Sequence, residues 1–509
     1  MGRKILFITT DQQRYDALGC NGGGVARTPV VDGLAAAGIR YTRGHSQSVV
    51  CMPSRSTMIT GQHSRTHGVW MNGVPLPADA PSVAAELHDA GYETALVGKA
   101  HFEPFLDPER RFLENRIGVE GSFGAGHRGF DHMELATHSV LGMVHYSQWM
   151  MREHSEDLAG FYPNLGRDWN VNGEGGGDTG AIQVKVNPVP RERYHTDWVA
   201  DRTIAWLDSL DADADWFVWM SFPDPHHPWD PPASETGRVD WRDLDLPERY
   251  LSSAAAREAL IADRPAQWAG YYSGGLVANF EAPPSFRPAD LTGDQIREIN
   301  ALVHVENELI DEACGRVLAR IGERGWGDDT DVFFTTDHGE LQGDYGLLFK
   351  GGYHVDSLLR VPFVWRPAPS SGLEGGVVVD APVGHLDLAP TFCAIAGLEP
   401  PAWMEGRPLP TSRDDGRERV MTEWDSVFNG VEMHLRTIYR DGYLCTAYEP
   451  GTEHDGSEGE LYDMNEDPLQ LDNVWSDPAR KALREDLVAD LYDSLPAPLV
   501  DPRPVVANV

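Results

Sequence analysis

Cysteine is scarce. Five are scattered over 509 residues, at positions 20, 51, 314, 393 and 445. Their number is odd and their spacing wide, which argues against a disulfide framework. Long apolar runs are missing as well. No stretch approaches the ~20 residues that span a bilayer, and the apolar run at residues 5–8, after Met1-Gly2-Arg3-Lys4, is too short for the core of a signal peptide. Positive charge is in deficit: 42 Lys and Arg stand against 79 Asp and Glu, a formal net charge of −37. Such an excess argues against nucleic acid and anionic membranes as partners. No internal repeat is evident. These absences lead to the expectation of a cytoplasmic protein, without a membrane segment, that acts on a small molecule.

What is present is ordinary for a globular chain, with 41% hydrophobic and 24% charged residues. The length suits two to four units, or one large α/β enzyme packed around a single sheet. Residues 4–10 read as a buried strand followed at once by Asp11-Gln12. Residues 94–97, 216–222, 331–336 and 361–365 read as further strands. Amphipathic helices are expected from Val30 to near Gly38, from Ser82 to Gly91, over residues 292–324, and over 196–210, where Thr196 is the expected cap. Residues 104–190 lose this regularity. Glycine-rich runs at 118–129 and 173–180 flank Trp149, Tyr162 and Trp169, which suggests an active-site wall inserted into the fold. From about residue 400 short strands alternate with turns and a final helix covers 478–494, so the chain divides into a catalytic domain 1–399 and a C-terminal subdomain 400–509. The tail at 496–509 is free to serve as an exchange arm in a homo-oligomer.

Two places carry chemistry. Residues 51–61 read Cys-Met-Pro-Ser-Arg-Ser-Thr-Met-Ile-Thr-Gly. Pro53 suits the first turn of a helix, and Ser54 and Arg55 are expected to set a donor and a fixed positive charge beside the sulfur, an environment for handling an anion. A cysteine phosphatase loop places its arginine six residues after the cysteine, whereas Arg55 follows at four. The second place is Asp337-His338-Gly339-Glu340, at the end of a strand, where open α/β sheets put their ligands. Asp11 ends another strand in the same way, and the two sites together point to a metal. Gly339 is expected to let the backbone approach a ligand. Lys99 and His101 lie two apart just past a strand and point the same way if the chain is still extended. Asn72 is a candidate for the site and equally for a turn.

Cys51-x-Pro53-Ser54-Arg55 with Thr60-Gly61 resembles the signature of the formylglycine-dependent sulfatases. The resemblance extends through Gly98-Lys99-x-His101, Pro225-His226-x-Pro228, Asp337-His338-Gly339 and Lys350, and is absent from 104–190. It implies an alkaline-phosphatase-like α/β fold: a large mixed β-sheet flanked by helices, with a small C-terminal α+β subdomain. It also implies that a formylglycine-generating enzyme converts Cys51 to Cα-formylglycine, whose hydrate is the nucleophile toward an anionic ester. Asp11, Gln12, Asp337 and His338 would hold one divalent metal with an oxygen of the hydrate. Calcium is the family's usual ion, and the amide and imidazole fit manganese as well. Lys99 and Lys350 would clamp the transferring group, Arg55 would hold the hydrate, His226 rather than His227 would protonate the leaving oxygen, and His101 would take the proton that lets the aldehyde re-form. Asn72, Lys99, His226 and Lys350 would touch substrate.

One departure matters. Many sulfatases begin the site with Asp-Asp, and here it is Asp11-Gln12. That pair resembles the phosphonate monoester hydrolases, phosphodiesterases and choline sulfatases of the same superfamily, while the Lys99/His101 pair resembles ordinary sulfatases. A sulfate monoester hydrolase is therefore the first expectation and a phosphonate monoester or phosphodiester hydrolase the second. A non-catalytic anion binder with an unmodified Cys51 is the third.

Overall fold

All seven residues of Lys4–Thr10 (β1) are buried. Ile5 and Phe7 pack on one side, Leu6 and Ile8 on the other. A strand with no polar face must lie inside a sheet covered on both faces. The computed structural model describes residues 2–120, 127–161, 176–276, 286–413, 415–498 and 500–507. In it β1 is joined by Ile39–Tyr41 (β2), Glu93–Gly98 (β4), His132–Leu135 (β5), Trp216–Ser221 (β6), Thr330–Thr336 (β7), Phe363–Arg366 (β8) and Val377–Val379 (β9). Gly44–His45 (β3) and Val383–Gly384 (β10) form a separate short pair. The eight-stranded sheet has the order β5-β4-β6-β1-β7-β8-β2-β9. Only β8 runs against the others, so the sheet is mixed.

One face is covered by helices Pro29–Ala37, His195–Ser209 and Gly293–Glu323, the other by Cys51–Thr60, Val83–Asp89 and Leu388–Ile395. The long helix begins where the sequence puts it, because Thr292 and Gln295 form a reciprocal capping box. The helix at 195 differs. Tyr194 is its N-cap, and Thr196 lies in the first turn, where its hydroxyl donates to the Asp224 carboxyl. At the cap the hydroxyl would accept a backbone N–H; here it instead donates to a buried carboxyl that needs a partner. Residues 419–463 form a second, antiparallel sheet of Arg419–Phe428 (β11), Val431–Arg440 (β12), Tyr443–Glu449 (β13) and Gly459–Asp463 (β14). Helix Lys481–Ser494 packs Leu487 and Leu491 against Ile438, Cys445 and Leu461 of that sheet. The C-terminal tail lies on its own chain: Trp70 Nε1 donates to the Arg503 carbonyl at 2.8 Å, and the Val506 N–H donates to that of Gly73 at 2.9 Å. Tyr162, Trp169 and parts of both glycine-rich runs lie outside the described residues.

β4 ends at Gly98, which has φ +105°, and a Cβ there would stand 1.7 Å from the Ser221 carbonyl oxygen of β6. Gly33, in helix Pro29–Ala37, faces open space. Gly98→Ala should therefore lower the unfolding free energy by more than about 2 kcal/mol. Gly33→Ala should raise it by about 0.5–1 kcal/mol. Urea titration of both variants checks the pair.

Candidate active site at the strand ends

The register of the sheet assembles the site. Thr10 pairs with Thr336, so Asp11 and Asp337 leave β1 and β7 side by side. Thr9 and Gly98 both pair with Ser221, which sets Lys99 at the same level. Helix Cys51–Thr60 is buried along its whole length and starts against these strand ends. Cys51 Sγ lies 3.7 Å from Asp11 Oδ1 and 3.3 Å from His338 Nε2. One ligating atom from each of Asp11, Cys51, Asp337 and His338 lies within 4.8 Å of the others, and all four residues are buried. The Met52 N–H at the helix start donates to Asn72 Oδ1 at 3.0 Å, so Asn72 acts as a remote cap for one of the helix's first N–H groups.

Arg55 spends every donor it has. Nε donates to Asp337 Oδ2 at 2.8 Å; Nη1 donates to the Lys99 carbonyl and to Ser221 Oγ, both at 2.8 Å; Nη2 reaches Asp11 Oδ2 at 3.4 Å and the Thr10 carbonyl at 3.5 Å. Five N–H groups meet five acceptors. The guanidinium thus binds the ends of β1, β4, β6 and β7, where the sequence suggested a hold on the hydrate. Ser54 also differs from expectation. Its hydroxyl, like that of Ser46, donates to the Asp337 carbonyl at 2.7 Å and does not face the sulfur. Gly339 serves the chain itself, since a Cβ there would meet the Ser357 carbonyl at 1.8 Å.

The charges follow from burial. Burial drives the Asp11 carboxyl up, but Lys99, His226, Arg55 and Lys350 outweigh it and hold the group well below the usual carboxylate range. The Lys99 ammonium is ion-paired with Asp11 Oδ2. Burial, assisted by Asp11, pushes the Cys51 thiol up to about 12, so the unmodified side chain is protonated at neutral pH. Burial brings His338 down to about 4, and its Nδ1 donates to the Gly339 carbonyl at 2.9 Å. That leaves a neutral ring with a lone pair on Nε2, the state of a metal ligand oriented from behind. An ionised carboxylate, a second carboxylate and this imidazole fit a divalent cation.

Gln12 has φ +63°, a backbone turn seldom adopted by such a residue. Its Oε1 accepts from Lys350 Nζ at 2.6 Å. Its Nε2 lies 3.2 Å from His227 Nδ1 and donates to Glu340. The amide therefore links the metal-ligand candidates to the second lysine. Lys350 Nζ also donates to His226 Nε2 at 2.9 Å, and His226 Nδ1 is satisfied by the His227 carbonyl. His101 has φ +60°, so the chain past β4 is not extended and the side-by-side orientation expected of Lys99 and His101 does not arise from strand alternation. The ring packs on Phe105, centroids 4.9 Å apart.

Two participants were given no role from sequence. His227 reaches Gln12 although the motif selects only its neighbour. Glu340 accepts from Gln12 and from the Gln342 and Phe349 N–H groups, and burial raises it to about 7. Its position in the run after Asp337-His338-Gly339 was the available hint.

Known proteins resemble this chain in sequence and fold. The model of the family described as Sulfatase matches residues 3–398, and that of the C-terminal region of N-sulphoglucosamine sulphohydrolase matches residues 343–495. An arylsulfatase of Clostridium perfringens is 26% identical, over 96% of this chain and 95% of that protein. The solved phosphonate monoester hydrolase of Agrobacterium radiobacter superposes with a TM-score of 0.77 at 24% identity, over 97% of this chain and 95% of that one. Another, from Silicibacter pomeroyi, gives 0.74 at 25% identity, over 96% and 94%. With its strand-end carboxylates gathered around Cys51 and a family match over most of its length, this chain belongs to the sulfatase family of sulfuric ester hydrolases.

Proposed function

We propose that the chain hydrolyses sulfate monoesters with Cys51, matured to Cα-formylglycine by a formylglycine-generating enzyme, and with one Ca²⁺ or Mn²⁺ held by Asp11, Gln12, Asp337 and His338. The observation that carries this reading is the buried convergence of Asp11, Cys51, Asp337 and His338 between two lysines, Lys99 on Asp11 and Lys350 on Gln12. When bound, the ion would polarise an ester oxygen and lower the pKa of a coordinated hydroxyl. The aldehyde in its hydrated form would supply the attacking oxygen that a buried thiol with a pKa of about 12 does not.

The remaining work falls to the chain's own side chains. Arg55 fixes the two carboxylates, and Lys99 and Lys350 neutralise oxygens of the tetrahedral group. At rest His226 carries its proton on Nδ1 and accepts from Lys350 at Nε2. Nε2 is thus the atom that takes up a proton and passes it to the leaving oxygen. His101, two residues beyond Lys99, is the candidate base for regenerating the aldehyde. Five free cysteines suit a reducing compartment, which supports a cytoplasmic location. Among the described residues no helix is long and apolar enough to cross a membrane.

A phosphorus ester is the second reading. The amide of Gln12 leaves the ligand set one carboxylate short, and two phosphonate monoester hydrolases share the fold. Comparison of kcat/KM for 4-nitrophenyl sulfate and for a phenyl phosphonate ester should favour sulfate; a preference for phosphorus of about a thousandfold, roughly 4 kcal/mol in transition-state binding, reverses the order.

Two further outcomes are expected. Produced with a formylglycine-generating enzyme, the peptide spanning Cys51 should show the mass of an aldehyde in place of a thiol, and Cys51→Ala should lower turnover by about 10⁴-fold or more. A full-mass thiol in a fully active preparation contradicts the proposal. Asp337→Asn should reduce the divalent metal bound per chain, read by elemental analysis, because it weakens a buried ligand and frees Arg55 Nε.

A further inference from the structure

Three neighbouring strands each deliver a histidine to the same place. β4 leads to His101, β6 to His226, and β5, at the sheet edge beside β4, leads to His138. The first two belong to motifs. His138 belongs to none, and lies in the stretch that sequence alone leaves without chemistry. Its ring is buried and stacks on that of His226, centroids 4.3 Å apart and planes within 12°. Phe105, from the same stretch, meets His138 edge-to-face at 6.3 Å and packs on His101 at 4.9 Å.

The backbone that presents His138 is fixed. The Ala136 N–H continues the β5–β4 ladder by donating to the Gly98 carbonyl at 3.0 Å. On the far side of the turn, the Thr137 and Ser147 hydroxyls both donate to the Leu141 carbonyl, at 2.9 and 2.7 Å. His226 itself has one degree of freedom that matters, rotation of its ring about the bond to Cβ. Its Nδ1 contacts the neighbouring His227 carbonyl and its Nε2 contacts Lys350, and ring nitrogens make such bonds best along the ring plane. Parallel stacking acts perpendicular to that plane and resists rotation out of it.

We infer that His138 is a positioning residue for His226: its ring holds the His226 imidazole in the plane that aims Nε2 at Lys350 and the leaving oxygen. This rests on the reading of His226 as proton donor. The stacked face also favours the ring when it carries the extra proton. The role needs a flat ring at position 138, not a titrating one.

The test uses phenyl sulfate, a poor leaving group that needs protonation, and 4-nitrophenyl sulfate, which needs it less. His138→Leu keeps the bulk and removes the flat face; His138→Phe keeps the face and removes the nitrogens. His138→Leu should lower kcat on phenyl sulfate by about 10-fold or more, a fraction of what a positioned acid contributes. KM should be little changed and the loss on 4-nitrophenyl sulfate much smaller. His138→Phe should recover most of the loss. In a His226→Ala background His138→Leu should cost nothing further, because the two act as a unit. An equal loss on both esters, a loss that persists without His226, or no recovery with Phe overturns the inference, since a general packing role predicts these. His226→Ala alone separates the two layers. If it costs no more on phenyl sulfate than on 4-nitrophenyl sulfate, the proton-donor reading fails and the inference with it; if it does and His138→Leu does not, only the inference fails. Matched melting temperatures for the Leu and Phe variants confirm that the difference between them is not one of folding.

Discussion

The Arg55 guanidinium is the contact on which the rest of the site depends. A charge with no exposure to water is tolerable only when every donor is met and opposite charge is close. Arg55 has both: two carboxylates, a serine hydroxyl and two backbone carbonyls, drawn from four different strand ends. The sheet fixes how far apart those ends stand, and the guanidinium's planar fork spans them. A lysine offers one point charge and three donors, and could not tie the same four strands. The arginine of the signature motif is thereby part of the scaffold as well as of the active centre.

This arrangement also resolves the conflict between an acidic protein and an anionic substrate. The chain carries a formal charge of −37. Around Cys51, Arg55, Lys99 and Lys350 oppose Asp11 and Asp337, a balance of 3 − 2 = +1 before any metal binds, and burial keeps the neighbouring Glu340 partly protonated. These charges are buried, where the effective dielectric is low and their field is weakly screened, whereas the surface carboxylates face water and salt. The local sign therefore decides what the site attracts. The same burial keeps the Cys51 thiol protonated and His338 neutral. The cysteine is thus a poor nucleophile as translated, and the histidine is ready as a ligand.

Several residues in and around the motifs turn out to hold the chain together around the chemistry. Ser54 and Ser46 fasten the Asp337 carbonyl, Asn72 caps the helix that begins with Cys51, and Gly339 makes room for the Ser357 carbonyl. Thr196, expected as a helix cap, instead satisfies Asp224, which burial raises to about 7 and whose carbonyl in turn accepts from the Asp11 N–H. A motif conflates two kinds of residue, those that touch the reacting group and those that set its position. Spacing along the chain does not separate them.

What the sequence alone determined is local or periodic. Apolar runs that end in Asp11, in Lys99 or in Asp337-His338 announce buried strands with polar ends, and parallel sheets bring such ends to one edge. The helix start at Cys51-Met52-Pro53 is equally local, as is the capping box at Thr292. The tertiary structure decided everything that depends on register and on side-chain direction across long separations. The pairing of Thr10 with Thr336 sets Asp11 beside Asp337. The positive φ of Gln12 and His101 turns them away from the alternation a strand would impose. His138, ordinary in sequence, reaches His226 because β5 lies two strands from β6 in space while some eighty residues separate them along the chain. Short-range propensities are written in consecutive residues; the sum of packing and hydrogen bonding that chooses one register over another belongs to the whole chain at once.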